Sequence, residues 1–286
     1  MRISAIIPTW NRASTLERAV TSVLGQTKAV EEIIVVDDGS IDATQTVLDK
    51  FSTLKILHQQ NAGVSAARNA GIRAAKGDWI ALLDSDDEWL PEKIEEQCQA
   101  LANDADSRVC HCDEIWIRKG VRVNPKHKHR KYGGWIYRHC LPLCAISPSA
   151  VLLRRDVFDT VGWFDESLPA CEDYDYWLRL CASEPVTYID KMLLKKYGGH
   201  DDQLSQRYWG MDRFRMAALA KVICSGTLND EQLALTQDML AQKLSIFVQG
   251  SRKRGHHDDA MLFENRFRPL TKLPLPDDNE SISWHT

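Results

Sequence analysis

Short apolar runs alternate with amphipathic segments through the first third of this 286-residue chain. The runs predict four strands, at Ile3–Pro8, Glu32–Val36, Leu54–His58 and Trp79–Leu83. Helices are predicted between them, the first opened by a capping box at Ser14-Thr15-Leu16-Glu17 and the third running from Val64 to Ala75. Strands and helices that alternate with short connections are typical of a parallel sheet covered by helices. The sequence therefore predicts an α/β fold.

Carboxylates follow two of these strands at the point where each strand ends. Asp37 and Asp38 come after the second strand, and Asp84, Asp86 and Asp87 come after the fourth. In open α/β sheets, ligands bind beyond the carboxyl ends of the strands. Aspartates two positions apart also offer the hard oxygen ligands that Mg²⁺ and Mn²⁺ take. We therefore expect a cation-assisted ligand site here, although an Asp-x-Asp alone also fits an acidic turn before a helix.

Several functional classes are disfavoured. The first strand is not followed by Gly-x-Gly-x-x-Gly, and the chain lacks the Gly-x-x-x-x-Gly-Lys-Ser/Thr loop of P-loop NTPases. Charged residues make up 27% of the chain and the formal net charge is −4, so no nucleic-acid partner is expected. No apolar stretch is long enough to span a membrane, and the N-terminus runs directly into a strand, so we expect a cytoplasmic protein.

Eight cysteines are spread along the chain, and reduced thiols are their simplest interpretation. A zinc site could be assembled from two cysteine pairs and their histidine neighbours, namely Cys110, Cys112, Cys140, Cys144, His111 and His139. The Cys-x-Cys spacing differs from the usual zinc knuckle, and both pairs lie in largely apolar sequence. We therefore expect buried free thiols.

Four sequence blocks resemble the family 2 glycosyltransferases, in the order and spacing of that family. The blocks are Ile6-Ile7-Pro8-Thr9-Trp10-Asn11-Arg12, Val35-Val36-Asp37-Asp38-Gly39-Ser40, Asn61-Ala62-Gly63-Val64-Ser65-Ala66-Ala67-Arg68-Asn69-Ala70-Gly71 and Leu83-Asp84-Ser85-Asp86-Asp87. The resemblance implies an inverting enzyme with the GT-A (nucleotide-diphospho-sugar transferase) fold, a mixed, mostly parallel sheet between helices. We expect a catalytic domain at 1–206, divided into a nucleotide-sugar-binding half (1–103) and an acceptor half (104–206). A C-terminal helical extension with a flexible tail would follow at 207–286.

The resemblance also implies roles for individual residues. The donor, a nucleotide sugar, would be bound by Pro8, Thr9, Asn11, Asp38, Arg68, Asp84 and Ser85. In this group Asp38 would accept the imide N–H of uracil, which favours a UDP-linked sugar. The cofactor, Mg²⁺ or Mn²⁺, would be held by Asp86, Asp84 and His200. Glu172 and Asp173 open a predicted helix, with Asp173 as the base for the acceptor hydroxyl and Glu172 supporting the acceptor site.

One long segment, from Ile115 to Arg155, contains no acidic residue. Its basic residues are Arg118, Lys119, Arg122, Lys126, Lys128, Arg130, Lys131, Arg138, Arg154 and Arg155. The segment is either a solvated basic loop or a surface for an anionic acceptor, such as a lipid-linked saccharide. The second interpretation would permit peripheral association with the inner face of the cell membrane. Helices predicted at Arg213–Ile223 and Asp230–Val248 would pack on the catalytic domain or form a homodimer.

Two other classes remain alternatives to a glycan- or lipid-saccharide-modifying transferase. A nucleotidyltransferase would carry a Gly-rich, Lys-containing loop after its first strand, where this chain has Pro8-Thr9-Trp10-Asn11-Arg12. A non-catalytic nucleotide-sugar-binding protein would be expected to lose its acidic pairs. Both pairs, Asp84 with Asp86 and Glu172 with Asp173, are present in this sequence.

Overall fold

The computed structural model describes residues 1–104, 106–199 and 208–272. The chain divides into two compact units, Met1–Met211 and Asp212–Thr286. The described strands of the first unit are β1 (Ile3–Thr9), β2 (Glu32–Asp37), β3 (Lys55–His58), β4 (Trp79–Leu82), β5 (Glu88–Trp89), β6 (Val109–Arg118), β7 (Val121–Val123), β8 (Val151–Arg154) and β9 (Thr187–Gly198). Its helices are α1 (Leu16–Leu24), α2 (Thr44–Leu48), α3 (Val64–Ala74), α4 (Lys93–Ala102), α5 (Tyr137–Cys140), α6 (Val157–Val161) and α7 (Glu172–Ser183).

All of these strands belong to one mixed sheet. Its order is β3-β2-β1-β4-β8-β6-β9-β5, with β7 paired to β6. The first four strands in this order are mutually parallel, β8 runs antiparallel to both β4 and β6, and β9 is parallel to β6. The predicted α/β fold with a parallel N-terminal half is therefore confirmed.

The centre of the sheet is buried on both faces, which is why its strands are continuous apolar runs. Every residue of β1 is buried. Helix α3 packs closely on β1 and β2, because Gly71 offers no side chain at the contact. A Cβ atom at Gly71 would lie 2.5 Å from Cγ2 of Ile6 and 3.2 Å from Cγ2 of Val36. This close packing holds the start of α3 beside the carboxyl ends of the strands.

The capping box predicted at Ser14 is wrong. Helix α1 begins at Leu16 after Thr15, which makes no side-chain cap. The carbonyl of Arg12 instead accepts the N–H groups of Thr15 and Leu16, at 3.0 and 2.9 Å. Glu17, the expected partner in the box, forms a 2.6 Å ion pair with Lys50.

The second unit consists of three described α-helices, α8 (Asp212–Cys224), α9 (Asp230–Lys253) and α10 (His257–Phe267). Asn229 and Gln232 form a capping box at the start of α9. The helices bury apolar side chains such as Met216, Leu240 and Phe247. Helices α8 and α9 were predicted, whereas α10 was not. In the part of the chain that the structure describes, no helix has the length and apolar character needed to cross a membrane.

Candidate active site

The carboxyl ends of β1, β2 and β4 meet at one edge of the sheet. Their registers pair Thr9 with Asp37 and Ile6 with Leu82, so the residues that follow each strand emerge side by side. Pro8 and Thr9 complete β1 at this edge. Thr9 is buried, and its hydroxyl has no hydrogen-bond partner among the described residues. A buried, unsatisfied hydroxyl is costly, and its presence at a strand tip is consistent with a ligand-binding role.

Asn11 and Asp38 fasten the loops around this edge. Asn11 has a left-handed backbone (φ 52°), and its side chain accepts the N–H of Ile41 at 2.8 Å. One oxygen of Asp38 accepts from the side chain of Gln59 and from the N–H of Ala62. The other accepts the N–H of Gly63 at 2.8 Å, immediately before α3.

Arg68 of α3 links the carboxylates that follow β4 to those that begin α7. Its guanidinium forms 2.7 Å ion pairs with Asp84, after β4, and with Glu172, the first residue of α7. The side chains of Arg68 and Glu172 are only 3% and 6% exposed, so the pair lies inside the protein. The sequence predicted a nucleotide contact for Arg68 and did not predict this bridge. No local sequence pattern indicates this bridge, because Arg68 and Glu172 are 104 positions apart.

Burial and Arg68 have opposite effects on the pKa of Glu172. Burial and the neighbouring Asp173 raise the pKa of Glu172, while the guanidinium lowers it. For Arg68, burial favours the neutral form, but Asp84 and Glu172 outweigh burial and raise the pKa. Arg68 is therefore charged at any working pH, and removing it would leave two carboxylates without their shared cation.

The four residues that follow β4 and Leu83, Asp84-Ser85-Asp86-Asp87, form the acidic turn and differ in burial. Asp84 and Asp86 are half-buried, whereas Ser85 and Asp87 are buried. The carboxylate of Asp87 accepts from the hydroxyl of Ser149 at 2.6 Å and from the N–H of Tyr197 at 3.0 Å. Burial, Asp86 and Asp84 together raise the pKa of Asp87 well above its usual value. Asp87 therefore holds the turn to Ser149 and to β9.

Two side chains that sequence reasoning missed complete the contact between the acidic turn and β9. The guanidinium of Arg18 donates to the carbonyl of Asp86 and lies 3.7 Å from the ring centre of Tyr197. The Tyr197 hydroxyl donates to Glu88 at 2.7 Å, and Lys195 pairs with the same carboxylate at 2.8 Å. These contacts join the acidic turn to α1 and β9.

The donor set at the acidic turn fits Mg²⁺ or Mn²⁺. Asp84 and Asp86 supply hard carboxylate oxygens, and the ion pair with Arg68 uses only the Oδ1 atom of Asp84. Within the described ranges, no group of three or more His, Cys, Asp or Glu side chains is arranged to hold a metal ion. Mg²⁺ typically takes one or two carboxylates and completes its shell with water and substrate phosphates. His200, the third predicted ligand, lies outside the described residues.

Asp173 lies at the start of α7, beside Glu172. Its Oδ1 atom accepts the N–H of Tyr174 at 2.7 Å, and its Oδ2 atom is 3.0 Å from the thiol of Cys144. Cys171, the residue before the helix, has a left-handed backbone with φ 61°. Non-glycine residues adopt this conformation at a cost, and such strain is concentrated at functional sites. Asp175, two positions further on, is buried and pairs with Arg179 at 2.8 Å.

A cluster of buried charges joins β6, β9 and the segment that contains Lys131. Glu114 of β6 is 3.3 Å from Lys131 and accepts from the Trp116 ring N–H at 2.8 Å. Lys196 of β9 donates to the hydroxyl of Ser147 at 2.7 Å. Burial would raise the pKa of Glu114, but Lys131 and Lys196 lower it to about 2. Burial would lower the pKa of Lys196, but Glu114 and Asp87 outweigh burial and raise it.

Lys131 therefore does not belong to an exposed basic surface, as the sequence suggested. It is buried against Glu114, which lies just before the segment that lacks acidic residues. Arg154 is also committed, to a 2.8 Å ion pair with Asp156. The basic residues of the segment that are exposed are Lys119, Arg122, Lys126, Lys128, Arg130, Arg138 and Arg155.

The cysteines are free thiols in the described structure. Cys110 and Cys112 lie buried on β6, where burial raises the pKa of each thiol to about 12. Their neighbour His111 is also buried, which lowers its pKa to about 4. His139 stacks on Tyr132 with ring centres 3.8 Å apart.

Comparison with known sequences agrees with this arrangement. Residues 4–162 match the family model described as "Glycosyl transferase family 2". This chain belongs to that family. It is 34% identical over 208 residues to an uncharacterized glycosyltransferase of Rickettsia typhi and 33% identical over 200 residues to one of Rickettsia prowazekii. The matches cover 70% and 68% of this chain, and 65% and 63% of the two relatives, so the chain spans slightly less than two thirds of either relative.

Solved structures confirm the GT-A fold of this family 2 glycosyltransferase. S. aureus TarS 1–349 in complex with UDP-GlcNAc superposes with a TM-score of 0.70 at 17% identity, covering 96% of this chain and 94% of TarS 1–349. The same protein in complex with UDP gives a TM-score of 0.65 at 22% identity, covering 89% and 74%. At these identities the likeness establishes the fold.

We predict that Glu114→Gln destabilises this glycosyltransferase by about 3–5 kcal/mol at neutral pH, because it leaves Lys131 buried without its anion. The folded pKa of Glu114 is about 2, below the unfolded value of about 4.3. Its contribution to stability is therefore complete above pH ~4.3 and is lost as the pH falls towards ~2. Chemical denaturation across this range should show the difference between wild type and variant shrinking.

Asp190→Asn is the matched control, because Asp190 is an exposed carboxylate of β9. It should change stability by less than about 0.5 kcal/mol. An equally small effect of Glu114→Gln, or a pH-independent one, would contradict a buried ionised pair.

Proposed function

We propose that this glycosyltransferase moves a sugar from a UDP-linked donor to an acceptor hydroxyl with inversion of configuration. The observation that carries the proposal is the Glu172–Arg68–Asp84 bridge. It brings a candidate metal-binding turn and a candidate base to the same edge of the sheet. Direct displacement needs both, because the acceptor must lose a proton while negative charge develops on the leaving diphosphate.

Polar groups at the carboxyl ends of β1 and β2 can form hydrogen bonds with a uracil base. Asp38 Oδ2 accepts the N–H of Gly63. A carboxylate oxygen has two lone pairs, so this atom can also accept the imide N–H of uracil. The buried hydroxyl of Thr9 supplies a further polar group at the same edge. The structures of TarS with UDP and with UDP-GlcNAc, which share the fold, support a UDP-linked donor here.

Asp86 and Asp84 would hold the divalent cation against the donor. When bound, a cation at this position neutralises the charge that develops on the diphosphate. Arg68 and Arg18 hold the turn that carries both aspartates, so the carboxylates need little reorganisation when the donor binds. Asp87 is committed to Ser149 and Tyr197 and fixes the turn to the sheet.

Asp173 would act as the base. Its carboxylate accepts the proton of the acceptor hydroxyl, the oxygen bonds to the anomeric carbon, and the bond from that carbon to the diphosphate oxygen breaks. Because one displacement occurs from the face opposite the leaving group, the configuration inverts. Glu172 is bound to Arg68 and supports this end of α7.

The acceptor would be a growing glycan or a lipid-linked saccharide that carries negative charge. Lys126, Lys128 and Arg130 are exposed around a short 3₁₀ turn at His127–His129. They lie next to Lys131, which pairs with Glu114 in the buried cluster and donates to the carbonyl of Ala145, the residue after Cys144. A lipid-linked acceptor would place the protein at the inner face of the cell membrane, in the cytoplasm.

We predict that Asp173→Asn binds the donor normally but reacts about 10²–10⁴-fold more slowly, because the amide cannot accept the proton. Thermal shift against UDP-glucose, UDP-galactose and UDP-N-acetylglucosamine with Mn²⁺ first selects the donor. UDP release from that donor then measures the rate.

Glu166→Gln provides the control, since Glu166 is exposed and bound to Asn69 rather than placed at the start of α7. It should react within about threefold of wild type. If Asp173→Asn instead lost donor affinity and kept its rate at saturation, Asp173 would be a binding residue.

We also predict that neutralising Lys126, Lys128 and Arg130 together lowers binding to phosphatidylglycerol vesicles by roughly 10- to 100-fold. The effect should diminish as salt rises, because exposed charges are screened. Vesicle co-sedimentation measures it, with phosphatidylcholine vesicles for comparison.

Neutralising Lys28, Lys50 and Lys76, which are exposed on the donor half, is the matched control and should leave vesicle binding unchanged. UDP release without acceptor should be the same in all three proteins. Equal vesicle binding by the wild type and the Lys126/Lys128/Arg130 variant would show that the segment is a solvated loop.

A further inference from the structure

The side chain of Asp173 is held from two directions. The N–H of Tyr174, within α7 itself, donates to Oδ1 at 2.7 Å. The thiol of Cys144 approaches Oδ2 at 3.0 Å from a different part of the chain, 29 positions earlier. Cys144 lies in the segment between α5 and the 3₁₀ turn at Pro148–Ala150. Asp173 is therefore held both by its own helix and by this segment.

The thiol has a second acceptor within reach. The carbonyl of Ile146 lies 3.1 Å from the sulfur. A thiol has one proton, so it can donate fully to only one of the two oxygens at a time. Burial and the nearby Asp173 raise the pKa of Cys144 well above its usual value, which keeps the sulfur protonated and able to donate.

The other charged groups around Asp173 are identified by the structure. Glu172 precedes it on α7 and is paired with Arg68 of α3. Lys196 of β9 is buried, and Asp173 is one of the acidic neighbours that raise its pKa. Ser147, which accepts from Lys196, lies three positions after Cys144. The thiol is thus a neutral donor beside the charged side chains of Glu172 and Lys196.

We propose that Cys144 is a positioning residue for the reaction, in which its thiol donates to Asp173 and fixes the direction of the carboxylate. This inference rests on the proposed function, in which Asp173 takes the proton of the acceptor hydroxyl. While Asp173 is ionised, the S–H donates to Oδ2. Once the carboxylate has taken a proton, it needs one donor fewer, and the S–H turns to the carbonyl of Ile146. Cys144 is neither oxidised nor deprotonated in this cycle.

The test compares Cys144→Ala, which removes the donor, with Cys144→Ser, which keeps one. UDP release from the UDP-sugar selected by thermal shift is measured with Mn²⁺ and water as the acceptor. We expect Cys144→Ala to lower kcat about 10-fold with donor KM unchanged, and Cys144→Ser to stay within about 3-fold of wild type. Cys224→Ala, at the exposed cysteine of the second unit, should have no effect.

A double-mutant cycle separates positioning from a general structural role. If Cys144 acts through Asp173, Cys144→Ala should slow the Asp173→Asn protein by less than about 2-fold. An equal loss in both backgrounds, or a serine variant as slow as the alanine variant, would overturn the role of Cys144 alone. A wild-type rate for Asp173→Asn would overturn the proposed base, and the inference with it.

Crystal structures of the two variants give a readout that does not depend on turnover. In Cys144→Ser the Asp173 carboxylate should keep its position, because the hydroxyl replaces the thiol as donor. In Cys144→Ala it should rotate away from residue 144 or become disordered. An Asp173 side chain unchanged in Cys144→Ala would overturn the proposal.

Discussion

The buried guanidinium of Arg68 is the interaction on which the candidate active site depends. It pairs with carboxylates from two distant parts of the chain, Asp84 and Glu172, and so joins the turn after β4 to the start of α7. Burying such charges costs solvation energy, and a hydrophobic replacement of the whole group can be as stable or more so. A site that must present ionised carboxylates to a diphosphate and a hydroxyl has a functional reason to keep them. The charge on Arg68 opposes the effect of burial, which raises the pKa of Glu172.

Other buried or half-buried polar groups around the bridge are also held by specific partners. Asp87 is anchored by Ser149 and Tyr197, Arg18 holds the carbonyl of Asp86, and Glu114 pairs with Lys131. Each contact restrains a polar group next to the proposed reaction centre. Preorganised charges stabilise a transition state without the reorganisation that water would require. The acidic turn is accordingly fixed both by Arg68 and by the contacts with β9.

The sequence predicted those features that depend on neighbouring residues. Strands β1, β2 and β4 were visible as apolar runs, and the acidic turns after them follow from the rule that ligands bind at the carboxyl ends of parallel strands. Features that depend on distant contacts were not predictable. The Ser14 capping box failed because the Arg12 carbonyl begins the helix and Glu17 has a partner in Lys50. Lys131 looked like part of a basic surface because Glu114 lies 17 positions before it and pairs with it only in the folded sheet.

The proposed reaction requires that the strand ends around Arg68 bind a UDP-sugar with a divalent cation at Asp86. Anomalous diffraction from a crystal grown with UDP and Mn²⁺ tests it most directly. We expect a manganese peak at the carboxylate of Asp86, beside bound UDP, with the uracil within hydrogen-bond distance of Asp38. UDP bound elsewhere, or manganese bound away from the acidic turn, would contradict the account.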